Sequence, residues 1–134
     1  MAEDKEYRIE DAEENSDNRE FMLSAIKNDS PWVIRYASDK LLADKELMLE
    51  AVNQDGQELY YANQALRDDK DVVLAAVTKK WLVLKFASFR LRGDKDVALA
   101  ALNQNLDAKE FLTEKALSYS EVQDLLNPKE ENEE

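Results

Sequence analysis

The sequence predicts an all-α domain of tandem 25-residue helix-turn-helix repeats, stacked as a small solenoid or compact helical-repeat domain. Three observations lead there. DKELMLEAV begins at Asp44, DKDVVLAAV at Asp69 and DKDVALAAL at Asp94, a period of 25 residues, and a looser copy, NREFMLSAI, begins 26 residues before Asp44 at Asn18. A unit copied at that spacing buries its apolar face against its neighbours rather than within itself. Within each unit the apolar residues fall at steps of three and four, the period of a helix. The whole chain holds two Gly and two Pro, too little punctuation for hairpins.

Residues 1–16 carry seven acids against Lys5 and Arg8. With few strong apolar residues, this flank is expected to be disordered and solvating. The repeats then occupy residues 17–128, as about four helix pairs. In the third unit the first helix is expected over 70–78 and the second over 81–92. Asp44, Asp69 and Asp94 stand where N-caps belong, with Asn18 in the same role, and Glu46, Asp71 and Asp96 suit the positive end of the helix dipole. Capping accounts for the DKD and DKE triplets without a metal site.

The first helices repeat apolar columns at Phe21, Leu47, Val72 and Val97; at Leu23, Leu49, Leu74 and Leu99; and at Ile26, Val52, Val77 and Leu102. An alanine column, Ala25, Ala51, Ala76 and Ala101, marks where helices approach closely. In the second helices the columns are Ile34, Leu59 and Leu84; Tyr36, Tyr61 and Phe86; Ala37, Ala62 and Ala87; and Leu41, Leu66 and Leu91. Their steps of three and four, from Ile34 to Ala37 to Leu41 and equivalents, draw one helical stripe, and the aromatic column is read as core packing. At Asp55-Gly56 the glycine is expected to take the left-handed conformation that ends a helix. At Ser30-Pro31 the proline starts the next helix. The fourth unit loses its pattern after Asn105, with Lys109 in the Leu84 column. The segment 120–127, with Ser120 and Gln123 at capping-box spacing, reads as a C-terminal capping helix ended by Pro128. Residues 129–134, four acids and one lysine, read as a second disordered tail.

Cysteine and histidine are both absent, which removes disulfides, thiolate and imidazole metal ligands, the thiol nucleophile and the side chain that normally titrates near neutrality. No catalytic residue, cofactor or metal site is expected, and paired acids such as Asp68 and Asp69 are explained by helix ends. The formal net charge is -12. It disfavours phosphate backbones and anionic membranes as partners. With neither a basic-apolar leader nor a spanning apolar stretch, a cytoplasmic monomer is expected, with export by a specialised secretion system left open.

The pattern D-K-x-V-V-L-x-A-V, a turn, then L-x-x-A-S-x-x-L-R-x-D resembles the short repeats known as domain of unknown function 4116. It is carried most fully by DKDVVLAAVTKKWLVLKFASFRLRGDKDVALAAL. The resemblance covers about residues 17–111 and implies a helical repeat, often found in host-associated or intracellular microbes, with no established activity and no catalytic residues to carry over. Lys80 and Trp81 stand where that family usually has an Asn-Gly turn.

That departure is the sharpest functional signal. Trp81 fills no inherited core column, and Phe89 stands where the sister units have Asp39 and Gln64. Trp81, Lys85 and Phe89, at i, i+4, i+8 spacing, are expected to share a helix face next to Tyr60, which holds the Lys85 position one repeat earlier. Surface aromatics with a basic neighbour are the usual composition of a protein-binding hot spot, and Lys79, Lys80, Arg90, Arg92 and Lys95 add basic charge. The leading expectation is a non-enzymatic interaction module, an adaptor or regulator, that binds a protein partner through Trp81, Lys85, Phe89 and Tyr60. The alternative is an acidic inhibitor of a partner enzyme or a nucleic-acid mimic acting through the flanks and Asp-rich helix starts, in the manner of a secreted effector or effector regulator.

Overall fold

The computed structural model describes residues 6–129. The long helices are α2 (Arg19–Lys27), α4 (Lys45–Gln54), α6 (Lys70–Lys79), α8 (Lys95–Leu102) and α10 (Ser120–Leu126). Each of the first four is followed by a 3-10 segment, at Pro31–Tyr36, Gly56–Tyr61, Trp81–Phe86 and Leu106–Phe111. Then comes a one-turn helix: α3 (Asp39–Leu42), α5 (Gln64–Arg67), α7 (Phe89–Arg92) or α9 (Glu114–Leu117). An additional helix, α1 (Ile9–Glu14), precedes them, and there is no strand among the described residues. Neighbouring long helices pack on one another in a row, and so do neighbouring 3-10 segments. Every unit therefore lies between the one before and the one after, as a stacked repeat requires.

The expected second helix of each pair is thus two elements. Ala37, Ala62 and Ala87 are extended, with ψ of 152°, 148° and 157°, and break the chain between them. The next residue is an N-cap: Ser38, Asn63 and Ser88 accept from the N–H of Leu41, Leu66 and Leu91. Extension at this point is stabilised by the unit before, because the N–H groups of Ser38, Asn63, Ser88 and Thr113 donate to the carbonyls of Ser16, Leu42, Arg67 and Arg92. A Ser or Asn side chain that competes for backbone N–H groups favours such a restart over a continuous helix.

All members of the alanine column are fully buried, as are Ile26, Val52 and Val77. Leu23, Leu49, Leu74 and Leu99 are only half-buried, and the row Met22, Met48, Val73 and Ala98 is fully buried instead. A long helix with a neighbour on each side and the 3-10 layer beneath hides more than one stripe. Each N-cap works as expected, Asn18, Asp44, Asp69 and Asp94 accepting from Phe21, Leu47, Val72 and Val97. The triplets also do something that helix capping does not require. The first-turn cation of each long helix reaches to the next one: Arg19 to Asp44 and Glu46, Lys45 to Asp69 and Asp71, Lys70 to Asp94 and Asp96, Lys95 to Glu121.

The acidic flank is structured where it is described. Ala12 of α1 is fully buried and Tyr7 sets its ring edge-on to Phe21 at 5.6 Å. Charge counts concealed this, because the acids of α1 point outward while a single small apolar residue docks. Residues 1–5 and 130–134 lie outside the described residues. At the other end Val122 continues the buried Val72 and Val97 column, so α10 is the first helix of a fifth unit. Its N-cap is Tyr119 rather than Ser120, and Gln123 donates its side-chain amide to the Leu117 carbonyl, so no capping box forms.

Two turn positions also differ from expectation. No glycine has a positive φ; that conformation belongs to Asp29, at 63°. Asp29 and Ser30 donate their N–H groups to the carbonyls of Ile26 and Ala25, the paired bonds of a Schellman ending. This inserted left-handed residue is why the first spacing is 26 rather than 25. Gly56 is needed for room, because a Cβ there would lie 2.4 Å from the Ala76 carbonyl oxygen. Opposite effects are therefore expected from exchanging these residues. Asp29→Gly should stabilise the fold by about 1 kcal/mol, whereas Gly56→Ala should cost roughly 1 to 3 kcal/mol by forcing α6 outward. Urea unfolding of both variants checks the signs.

Candidate functional site

Most cations of the described residues that line the helix starts are already spoken for. Hydrogen bonds from Arg19, and those from the backbone N–H of Leu47, hold the Asp44 carboxyl below its ordinary range. Burial raises the Asp69 and Asp94 carboxyls, but Lys45 and Lys70, together with the capped N–H groups, bring both below it. Lys95 holds Glu121 down to about 2. Asp68 is lowered by the Ser88 hydroxyl and by Arg90, whose Nε lies 2.9 Å from it. The acids of the helix starts are thus internal fasteners.

The 3-10 geometry redistributes the expected binding residues. With three residues per turn rather than 3.6, and with the chain extended at Ala87, Trp81, Lys85 and Phe89 do not share a helix face. Trp81 is half-buried against the core; its ring lies 6.4 Å from that of Phe111 of the next unit, and its backbone N–H donates to Gln104 Oε1. That contact is hidden in the repeat pattern because Phe111 lies in the weakened fourth unit. Tyr60, 52% exposed, is edge-on to Phe86 at 5.0 Å, and the Lys85 ammonium lies 5.2 Å from the same ring. Phe89 is 73% exposed. Lys85 and Phe89 line one groove together with Gln64, Arg67 and Phe86, and a second groove on the other side of Phe89 is lined by Leu112, Thr113, Glu114 and Lys115. The structure therefore groups Tyr60, Lys85, Phe86 and Phe89 and sends Trp81 elsewhere.

The basic charge differs from expectation too. Arg90 and Lys95 are ion-paired. Arg67 and Lys115 were not singled out in the sequence but both reach the grooves beside Phe89. One signal was available: Arg67 and Arg92 stand 25 residues apart in the repeated Leu-Arg step. The Arg92 guanidinium lies 5.9 Å from the Phe89 ring.

Glu58 is the buried charge that sequence reasoning missed. It is 0% exposed and stands in the row of Val33, Val83 and Ala108, all equally buried. Both carboxylate oxygens accept from Arg35 of the preceding unit at 2.9 Å, and Arg35 also lies over the Tyr61 ring at 5.5 Å. Burial pushes the Glu58 carboxyl up, against the pull of Arg35, with the negative charge of Asp55 adding to the rise. Glu58 lines none of the grooves described, so the pair fastens two units together.

Removing one partner or the other should have unequal effects. Arg35→Ala strands a buried carboxylate and should cost about 3 to 5 kcal/mol, whereas Glu58→Val restores the sister residue, leaves a cation that reaches water and should be neutral or mildly stabilising. The pH dependence has opposite signs at the two kinds of acid. A raised native carboxyl binds its proton better folded than unfolded, so Glu58 makes stability rise as pH falls toward the ordinary glutamate value of 4.5. The lowered caps do the reverse, losing their contribution below the ordinary aspartate value of 3.8. Urea midpoints measured across this range should show both limbs in the parent and only the acid-side loss in Glu58→Val.

No helix among the described residues is long and apolar enough to cross a membrane. No curated protein and no solved structure matches the chain significantly. A family model, Domain of unknown function (DUF4116), matches twice in tandem, over residues 18–67 and 69–119. Each match spans two of the 25-residue units, the boundary falling between Arg67 and the Asp69 cap. The chain belongs to the DUF4116 family of helical repeats.

Proposed function

We propose that this chain is a non-enzymatic interaction module that binds a protein partner through the face formed by Tyr60, Lys85, Phe86 and Phe89. The observation that carries the reading is Phe89, 73% exposed in the position that the sister units fill with Asp39, Gln64 and Glu114. An aromatic ring left in water loses the free energy its burial would contribute, roughly 1.5 to 3 kcal/mol, and a partner that covers it recovers this. Tyr60 and Phe86 supply rigid aromatic area next to it, the composition found at interaction hot spots. Trp81, half-buried against Phe111, is not taken as an anchor. A protein partner suits the site better than nucleic acid, because the basic side chains gather around one ring while the formal net charge is -12. We place the module in the cytoplasm as a monomer.

The reading as an acidic inhibitor draws less support, since the carboxylates of Asp44, Asp69 and Asp94 already accept from first-turn backbone N–H groups and neighbouring cations. It would rest on the flanks alone.

Partner capture from the native cell, followed by titration of variants, tests the proposal. Tyr60→Ala and Phe89→Ala should leave the melting transition in place and weaken binding by about 2 kcal/mol each. Trp81→Ala should do the opposite, costing about 2 to 3 kcal/mol of stability, below the value for a fully buried ring, with binding retained by the folded fraction. Full affinity in the Tyr60/Phe89 double variant would refute the proposed face.

A further inference from the structure

Between the second and third units, Asp68 closes a clasp: Ser88 Oγ and Arg90 Nε both bond its carboxylate, and an Arg90 Nη bonds its carbonyl. One repeat later the equivalents of Asp68, Ser88 and Arg90 are Gly93, Thr113 and Lys115. The acid is gone while the hydroxyl and the cation remain. Thr113 makes no side-chain cap bond, and Lys115 is exposed with no carboxylate of the described residues within ion-pair distance. Gly93 is packed so closely that a Cβ would lie 2.6 Å from Thr113 Oγ1. At the equivalent position between the first and second long-helix units, Ala43 also lacks the acid, but there the cation is Ala65 and nothing is left over. The clasp cation left without its acid therefore lies beside Phe89.

Three further cations complete it. Arg67 and Lys85 line the groove on one side of Phe89, Lys115 lines the other, and Arg92 lies over the ring. None of the four is ion-paired among the described residues, in contrast to Arg19, Lys45, Lys70 and Lys95 of the helix starts. Arg92 Nε is buried with no hydrogen-bond partner. One carboxylate, Glu114, sits in the second groove. Arg92 Nη1 donates to the Phe111 carbonyl, but four cations without a carboxylate partner among the described residues surround an exposed ring and define the complement: negative charge on both sides of an apolar side chain.

Building on the protein-binding reading above, we infer that the occupant is an extended acidic segment of the partner, with one large apolar residue laid against Phe89 and flanking carboxylates met by Arg67 and Lys85 on one side and Arg92 and Lys115 on the other. An extended chain crosses both grooves, and a row of free cations meets carboxylates without demanding a single geometry, so the charges steer encounter while the ring anchors.

Selection of a random phage-displayed peptide library against the full chain tests this, with the enriched peptides then synthesised and titrated. Peptides rich in Asp and Glu around one aromatic or aliphatic residue should be enriched. Their affinity should fall by about tenfold with Lys115→Glu or Lys85→Glu and fall again as salt is raised. Gly93→Asp supplies the missing acid and should weaken the same peptides by neutralising Lys115. If that variant is unstable because Thr113 cannot move aside, Lys115→Glu, on an exposed side chain, still decides. Enrichment of neutral or basic peptides that lose affinity with Phe89→Ala would overturn the acidic segment and leave the face standing. Enriched peptides indifferent to Phe89→Ala, or no enrichment, would overturn both.

Discussion

The long helices α2, α4 and α6 each begin with a cation that grips two carboxylates at the beginning of the next, and one of those carboxylates is also the cap of its own helix. The triplet therefore couples local structure to stacking. A helix of eight to ten residues is marginal in water by itself, since nucleation costs more than so few hydrogen bonds return. Each unit persists because its neighbours cover it. The ladder of ion pairs contributes little free energy directly, being exposed and screened, while a fully buried Leu, Met or Val contributes about 1.5 to 3 kcal/mol. Burial supplies the stability and the ladder fixes the register in which burial occurs.

The parts of this fold that read directly from the sequence are those the period repeats. The capping Asp residues, the alanine column and the valines at 72, 77 and 97 all stand where the spacing put them. What did not read directly depends on contacts a one-dimensional pattern lacks. An Ala-Ser pair suits a helix interior and an extended residue plus N-cap almost equally, and the choice is made by the carbonyl of the preceding unit, Arg67 for Ser88. The row of Met22, Met48, Val73 and Ala98 went unnoticed because one-stripe reasoning does not anticipate a helix enclosed on several sides. The inserted residue at Asp29 was visible as an extra position, but its left-handed backbone was not.

The candidate site was legible in its ingredients and not in its geometry. Lys85 and Phe89, departures from the repeat, line one groove with Phe86, and Tyr60, from the Lys85 position one repeat earlier, packs on Phe86; Trp81 does not join them, because a spacing of four means one thing on an α-helix and another on a 3-10 turn. Glu58 was invisible for a different reason. A single Glu within a turn reads as surface, and only the row it shares with Val33 and Val83 places it in the interior. Its partner Arg35 comes from the unit before, 23 residues away, a distance at which no local pattern operates.

A repeat scaffold explains why such departures are tolerated. Stability in a stacked array is approximately the sum of unit and nearest-neighbour terms, so an altered residue is felt by its own unit and the next rather than throughout the chain. The third unit keeps Val83, Leu84 and Leu91 fully buried, and these hold it in the stack whether position 89 is Phe, Asp or Gln. Position 93 follows the same logic. Replacing an acid with glycine there removes one clasp but leaves the backbone bond from Thr113 to the Arg92 carbonyl, which continues the stacking. The energy lost is local, while the charge released on Lys115 faces outward, so a change of one residue alters the surface without altering the architecture beneath it.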